Sequence, residues 1–147
     1  MTLQKENSKK TRIVSIVAGL ISFVVAYLGI QYFLSRPDFE AQMKEAASEL
    51  NEQLPMIIDE FTRLDSATVV SKSRFAYHYT LKNVAKPEVN LDTVAKYIKP
   101  GIIENIKNSP ELAPYRENKI TMDYVYYDKD GYLVTTISVT PDLYTTE

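Results

Sequence analysis

Hydrophobic positions follow two different rhythms along this chain. From Ile13 to Leu34 there are 22 residues without a charge, and only Ser15, Ser22 and Gln31 interrupt the apolar run mildly. As a helix rising about 1.5 Å per residue, this segment spans roughly 33 Å, enough for a hydrocarbon core about 30 Å thick. Tyr32 falls near its outer end, where amphipathic rings favour the headgroup zone. Ala18, Ser22 and Ala26 recur at every fourth position, a spacing that lets helices approach closely but is also common among lipid-facing residues.

Past Pro37 the pattern shortens and repeats. Phe39, Met43, Ala46, Ala47 and Leu50 keep helical spacing up to Pro55, with Pro37-Asp38 at the start. Two runs, Ser66–Val70 and Arg74–Lys82, then predict a hairpin around Ser71-Lys72-Ser73. In the second run Phe75, Tyr77, Tyr79 and Leu81 share one side, with Arg74, His78, Thr80 and Lys82 on the other. A second helix follows, capped by Asn90 and carrying the stripe Leu91, Val94, Ile98, Ile102 and Ile106. Pro100 lies inside that stripe and should kink or split it, because proline lacks a backbone donor and clashes with the preceding turn. A second hairpin pairs Lys119–Tyr127 with Tyr132–Val139 across Asp128-Lys129-Asp130-Gly131. The expected fold class is therefore α+β: an N-terminal transmembrane helix, then a helix-hairpin-helix-hairpin domain whose four-stranded antiparallel sheet is covered on one face by helices.

Charge orients this layout. Residues 1–12 carry Lys5, Lys9, Lys10 and Arg12 against Glu6, a balance of +3, whereas residues 37–147 carry 12 basic and 18 acidic residues, a balance of −6. The positive-inside rule then predicts a cytoplasmic tail over 1–12, a membrane span over 13–34 and an extracytoplasmic domain over 35–147. That is a single-pass signal anchor with an exported domain. A cleaved signal peptide fits less well, since its apolar region runs about 7–15 residues before a small-x-small site. The acidic domain points away from nucleic acid and anionic lipid and toward protein partners. With no cysteine and one histidine, neither a thiolate site nor a histidine cluster is available. No cofactor and no metal are expected.

Few residues suggest chemistry. Asp128-x-Asp130-Gly131 has the opening of a calcium loop, but Val134 and Val139 stand where the seventh and twelfth ligands belong, which favours a plain hairpin turn. Asp59, Glu60 and Asp65 cluster around Arg63. Two such carboxylates can act as acid and base in glycosidases, or simply cap turns and pair with Arg63. His78 lacks a motif-defined partner for catalysis. Six tyrosines, Tyr77, Tyr79, Tyr124, Tyr126, Tyr127 and Tyr132, fall on the expected strands, where the ring suits a pleated surface. Alternation groups Ile120, Met122, Tyr124 and Tyr126 on one face and Thr121, Asp123, Val125 and Tyr127 on the other. The outer face is the candidate partner-binding surface, with Arg74, His78, Thr80, Tyr127 and Thr136 as its residues.

Leu54-Pro55, Asp59, Thr62-Arg63-Leu64-Asp65 and Tyr77-His78-Tyr79-Thr80-Leu81 together resemble a family of small bacterial envelope proteins of unknown function. Lys99-Pro100, Asn105-Ile106, Asn108-Ser109-Pro110 and the Tyr-Tyr-Asp-x-Asp-Gly hairpin extend the resemblance over about residues 45–142. Its members often carry cysteines near the positions of Lys107 and Leu143. This chain has neither, so its stability rests on packing. The resemblance implies the fold and a location, a bacterial inner membrane with the domain in the periplasm, and no activity. The expected function is a membrane-anchored extracytoplasmic module that binds one or more envelope proteins without catalysis. Two alternatives are an envelope immunity or enzyme-inhibitor protein, and a cell-wall-acting enzyme using Asp59 and Asp65.

Overall fold

Asp38 opens the first helix, α1 (Phe39–Glu52), by accepting a hydrogen bond from the Glu40 amide at 3.1 Å. A side-chain acceptor there satisfies one of the amides that a helix start leaves unpaired. Structure is described for residues 38–145, in a computed structural model. Met43, Ala46, Ala47 and Leu50 form the buried stripe of α1, and their small members let it lie close against β2 (Thr62–Ser71). Before β2, the short strand β1 (Met56–Ile57) pairs Met56 with Leu64 and Ile57 with Arg63. A tight turn follows in which Asp59 Oδ1 accepts from the amides of Phe61 (2.7 Å) and Thr62 (2.8 Å). Strand β3 (Arg74–Leu81) returns antiparallel to β2.

The long crossover explains the first correction to the expected fold. After β3 come a 3₁₀ turn (Lys86–Glu88), one helical turn α2 (Leu91–Thr93), a π-helical turn (Val94–Ile98) and helix α3 (Lys99–Asn108). A second 3₁₀ turn (Pro110–Leu112) and helix α4 (Ala113–Glu117) lead into β4 (Thr121–Tyr127). This excursion carries the chain back to the end of the sheet where β3 began. Strand β4 therefore runs parallel to β3, from Arg74↔Thr121 to Thr80↔Tyr127. Strand β5 (Leu133–Val139) is antiparallel to β4, and a last turn, α5 (Pro141–Tyr144), follows it. The sheet is five-stranded and mixed, in the order β1-β2-β3-β4-β5, not four-stranded and antiparallel. The additional strand is β1, too short to show an alternation of its own. Among the described residues no helix is long and apolar enough to cross a membrane, and the expected span 13–34 lies outside them.

Pro100 splits the second helix as its chemistry requires. It sits in the first turn of α3, where its missing N–H has no duty. Just before it, the Lys99 amide donates to Val94 O, five residues back, so the backbone widens by one residue at the join. The stripe on this helix is buried unevenly: Ile106 is fully buried whereas Leu91 is 52% exposed. Arg116 Nη1 donates to the carbonyls of Ile106 (2.7 Å) and Ser109 (2.6 Å) and so ties α4 to the end of α3. The Tyr144 hydroxyl donates to Ile120 O at 2.8 Å and fastens the C-terminal turn to the start of β4.

The core is an aromatic stack between the helices and one face of the sheet. Tyr77 lies opposite Tyr124 and Tyr79 opposite Tyr126 in the parallel pair, with ring centroids 5.5 and 5.1 Å apart. Phe75 meets Tyr115 edge-on at 5.7 Å, and Tyr115 meets Phe39 of α1 the same way at 5.4 Å. Such contacts add about 0.5–1.5 kcal/mol each beyond the area they bury. Burial pushes the phenol pKa of Tyr77, Tyr79, Tyr115, Tyr124 and Tyr126 above the ordinary value, so they stay uncharged.

Candidate partner-binding face

Strand alternation that sends the tyrosine stack inward sends a second set of residues outward. Residues paired across neighbouring strands share a face, so the register defines rows. One row crosses all five strands: Ile57, Arg63, Thr80, Tyr127, Leu133. The next is Ser66, His78, Val125, Thr136, and the next Thr68, Ala76, Asp123, Ser138. Arg74 begins a fourth row beside Thr121. All five candidate residues, Arg74, His78, Thr80, Tyr127 and Thr136, thus lie on the outer face. Thr136 is exposed and the other four are half-buried.

Polar groups on this face satisfy one another. Arg74 Nη1 donates to Asp123 Oδ2 at 2.7 Å, and Ser138 Oγ donates to Asp123 Oδ1 at 2.6 Å. Asp65, the extra residue at a bulge between Leu64 and Ser66, accepts from Arg63 Nε on one oxygen and from Thr80 Oγ1 on the other. Thr68 Oγ1 and His78 Nε2 are hydrogen-bonded at 2.9 Å. The imidazole also stacks on Tyr127, with centroids 6.2 Å apart and ring planes 22° from parallel. Partial burial lowers the His78 pKa below 6.5, against the opposing pull of Asp65 and Asp123. Apolar groups stay open at the ends of the longest row: Ile57 is 60% exposed and Leu133 49%.

The carboxylates considered for catalysis serve the backbone and the sheet. Asp59 Oδ1 holds the β1–β2 turn, and Oδ2 is buried with no hydrogen-bond partner among the described residues. Asp65 is engaged on both oxygens, and the two residues share no hydrogen-bond partner. Asp128, considered as a calcium ligand, is a turn keystone. Its Oδ1 accepts from the amides of Asp130 and Tyr132 at 2.9 Å, and its Oδ2 from Lys86 at 3.0 Å. Burial alone would raise its pKa, yet the backbone donors of Tyr132, Lys86, Asp130 and Gly131 outweigh it and lower the value. Gly131 takes the left-handed backbone (φ +87°) that this turn requires. Among the described residues no group of three or more acidic or histidine side chains is arranged to hold a metal ion.

Three contributors to the face escape a sequence reading. Ile57 belongs to a strand of two residues. Asp65 is the extra residue of a bulge that breaks the count of two, and Arg63 lies just before it. Asp123 carries a signal, because alternation along β4 turns it outward.

Fold and face together define a small α+β module whose mixed sheet carries helices on one side and a self-paired polar surface on the other. The chain belongs to the family of a domain of unknown function, DUF8479, whose model matches residues 39–134. No curated protein matches it in sequence. Its fold is similar to the crystal structure of a candidate secreted protein from Pseudomonas aeruginosa, with TM-score 0.62 and 14% identity over 76% of this chain and 99% of that one. It is also similar to the type II secretion system pilotin AspS from Vibrio cholerae, with TM-score 0.53 and 15% identity over 71% and 90% of the two chains. The pilotin EpsS of the Vibrio vulnificus type 2 secretion system gives TM-score 0.48 at 15% identity, over 74% and 93%. These findings correct the expected localisation. No described helix spans a membrane, and the matched folds are those of a candidate secreted protein and a pilotin, not of single-pass inner-membrane proteins.

Proposed function

We propose that residues 35–147 form a non-catalytic, extracytoplasmic module that binds another envelope protein through the outer face of its sheet. The observation that carries this reading is the row from Ile57 to Leu133, apolar at both ends and joined by polar groups that already neutralise one another. A partner covering it strands no free charge, which is the usual cost of burying polar surface. A catalytic site calls for the reverse: acid, base or nucleophile held free around a substrate position. The fold's likeness to a candidate secreted protein and to a secretion-system pilotin supports an extracytoplasmic, partner-binding setting. The test is photocrosslinking in cells from Tyr127 and Leu133, with Tyr97 on the crossover as control. Tyr97 is 61% exposed but far from this face in the topology. The expected outcome is one envelope protein captured from 127 and 133 and not from 97. Identical capture from all three positions, or none, refutes the reading.

A second reading, an immunity or inhibitor protein, is favoured by the balance of −6 over residues 37–147, since acidic inhibitors are steered onto basic enzymes. It predicts that the captured protein is a single basic enzyme.

A further inference from the structure

The two edges of the sheet are finished differently. On the β2 side, β1 covers Arg63 and Leu64. Farther along, Asn51 of α1 imitates a strand: its Nδ2 donates to Ala67 O and its Oδ1 accepts from the Ala67 amide, both at 2.8 Å. On the other side no described strand lies beyond β5. The sequence of β5, Leu-Val-Thr-Thr-Ile-Ser-Val, contains no charge, no proline and no glycine. Edge strands are ordinarily guarded by such residues, because unpaired backbone groups invite another strand. A bulge opposite Tyr126 and Tyr127 disturbs only the first residues of β5. From Thr135 to Val139 the register is regular, and Thr136 within that stretch is exposed.

We propose that this edge pairs with the same edge of a second copy of the chain, antiparallel and centred on Thr136. Read outward from Thr136, the strand is complementary to itself. Thr135 meets Ile137 of the other copy, Val134 meets Ser138, and Thr136 meets its own counterpart. Threonine pairs and β-branched pairs are favourable cross-strand neighbours, and no like charges face each other. The register also preserves the faces: 136 and 138 continue one side, 135 and 137 the other. An uncharged edge offers little with which to select a foreign strand. Two-fold symmetry supplies orientation and register together and closes the assembly at two copies. The two outer faces would then form one surface, with the Tyr127 and Leu133 positions on both sides of the dyad.

The absence of native cysteine makes the test direct. Residues opposite each other in an antiparallel pair have Cα atoms about 4.5–5.5 Å apart, inside the disulfide range of about 4.4–6.8 Å. Full-length Thr136→Cys should oxidise to a covalent dimer, whereas Lys72→Cys at the β2–β3 turn should not. Mixed Val134→Cys and Ser138→Cys chains should cross-link to each other in preference to themselves. With circular dichroism showing intact folding, Thr136→Lys should lower the mass by light scattering from about twice to about once that of the chain. Cross-linking at 136 no faster than at 72, or a dimer that survives Thr136→Lys, overturns the proposal. The second result would assign association to residues outside this edge.

Discussion

The two faces of the sheet are made by the same strands and differ in almost every physical respect. Inward, Phe75, Tyr77, Tyr79, Met122 and Tyr124 are each no more than 7% exposed, and the four aromatic residues among them touch ring to ring. Outward, the alternate residues Arg74, His78, Asp123 and Tyr127 meet through hydrogen bonds, an ion pair and one stacked ring contact. The inner face is held by area removed from water, which scales with volume and tolerates no cavity. The outer face is held by pairing, which adds little stability in water. One chain segment thus carries a ring-packed core and a self-paired polar surface on residues one position apart.

The largest expected effect breaks the inner face. Tyr77→Ala removes a ring that is 1% exposed and contacts both Phe75 and Tyr124. Chemical denaturation should show a loss of about 3–5 kcal/mol, the usual cost of deleting a buried aromatic ring. A loss under 1 kcal/mol would mean that the stack is not what holds the domain. The outer face should respond less. In a double-mutant cycle, Arg74→Ala and Asp123→Ala should couple by about 1 kcal/mol, since the arginine is partly solvated. The coupling should shrink in high salt. Coupling as large as the Tyr77→Ala loss would make this pair part of the core.

Much of this division is legible in the amino-acid order, because a period of two needs no tertiary information. Phe75, Tyr77 and Tyr79 against His78 and Thr80 already separate the faces, as do Met122 and Tyr124 against Asp123 and Tyr127. What the order hides are events that break the period or depend on distant chain. The bulge at Leu64–Ser66 moves Arg63 and Asp65 out of a simple count. β1 exists only because Met56 and Ile57 find Leu64 and Arg63. The parallel sense of β3 and β4 follows from where the crossover ends, and no residue in either strand encodes it. Asn51 is a surface-type residue of α1 until its amide meets Ala67.

The smallest and most specific effect is a titration on the outer face. His78 is the chain's one histidine, so its imidazole proton signals need no assignment among rivals. Around it stand Thr68 on β2, Tyr127 on β4 and, at longer range, the carboxylates of Asp65 and Asp123. Burial among these strands opposes the imidazolium more than the two carboxylates favour it, and the folded pKa falls below 6.5. The unfolded chain therefore takes up a proton that the folded chain refuses in the window from 6.5 down to the folded value. Stability should decline slightly as pH falls through that window and level off beneath it. In His78→Asn this step should vanish while the remaining pH dependence stays. A folded His78 titrating above 6.5 would reverse the sign, and would mean that Asp65 and Asp123 govern the centre of the face more strongly than its burial does.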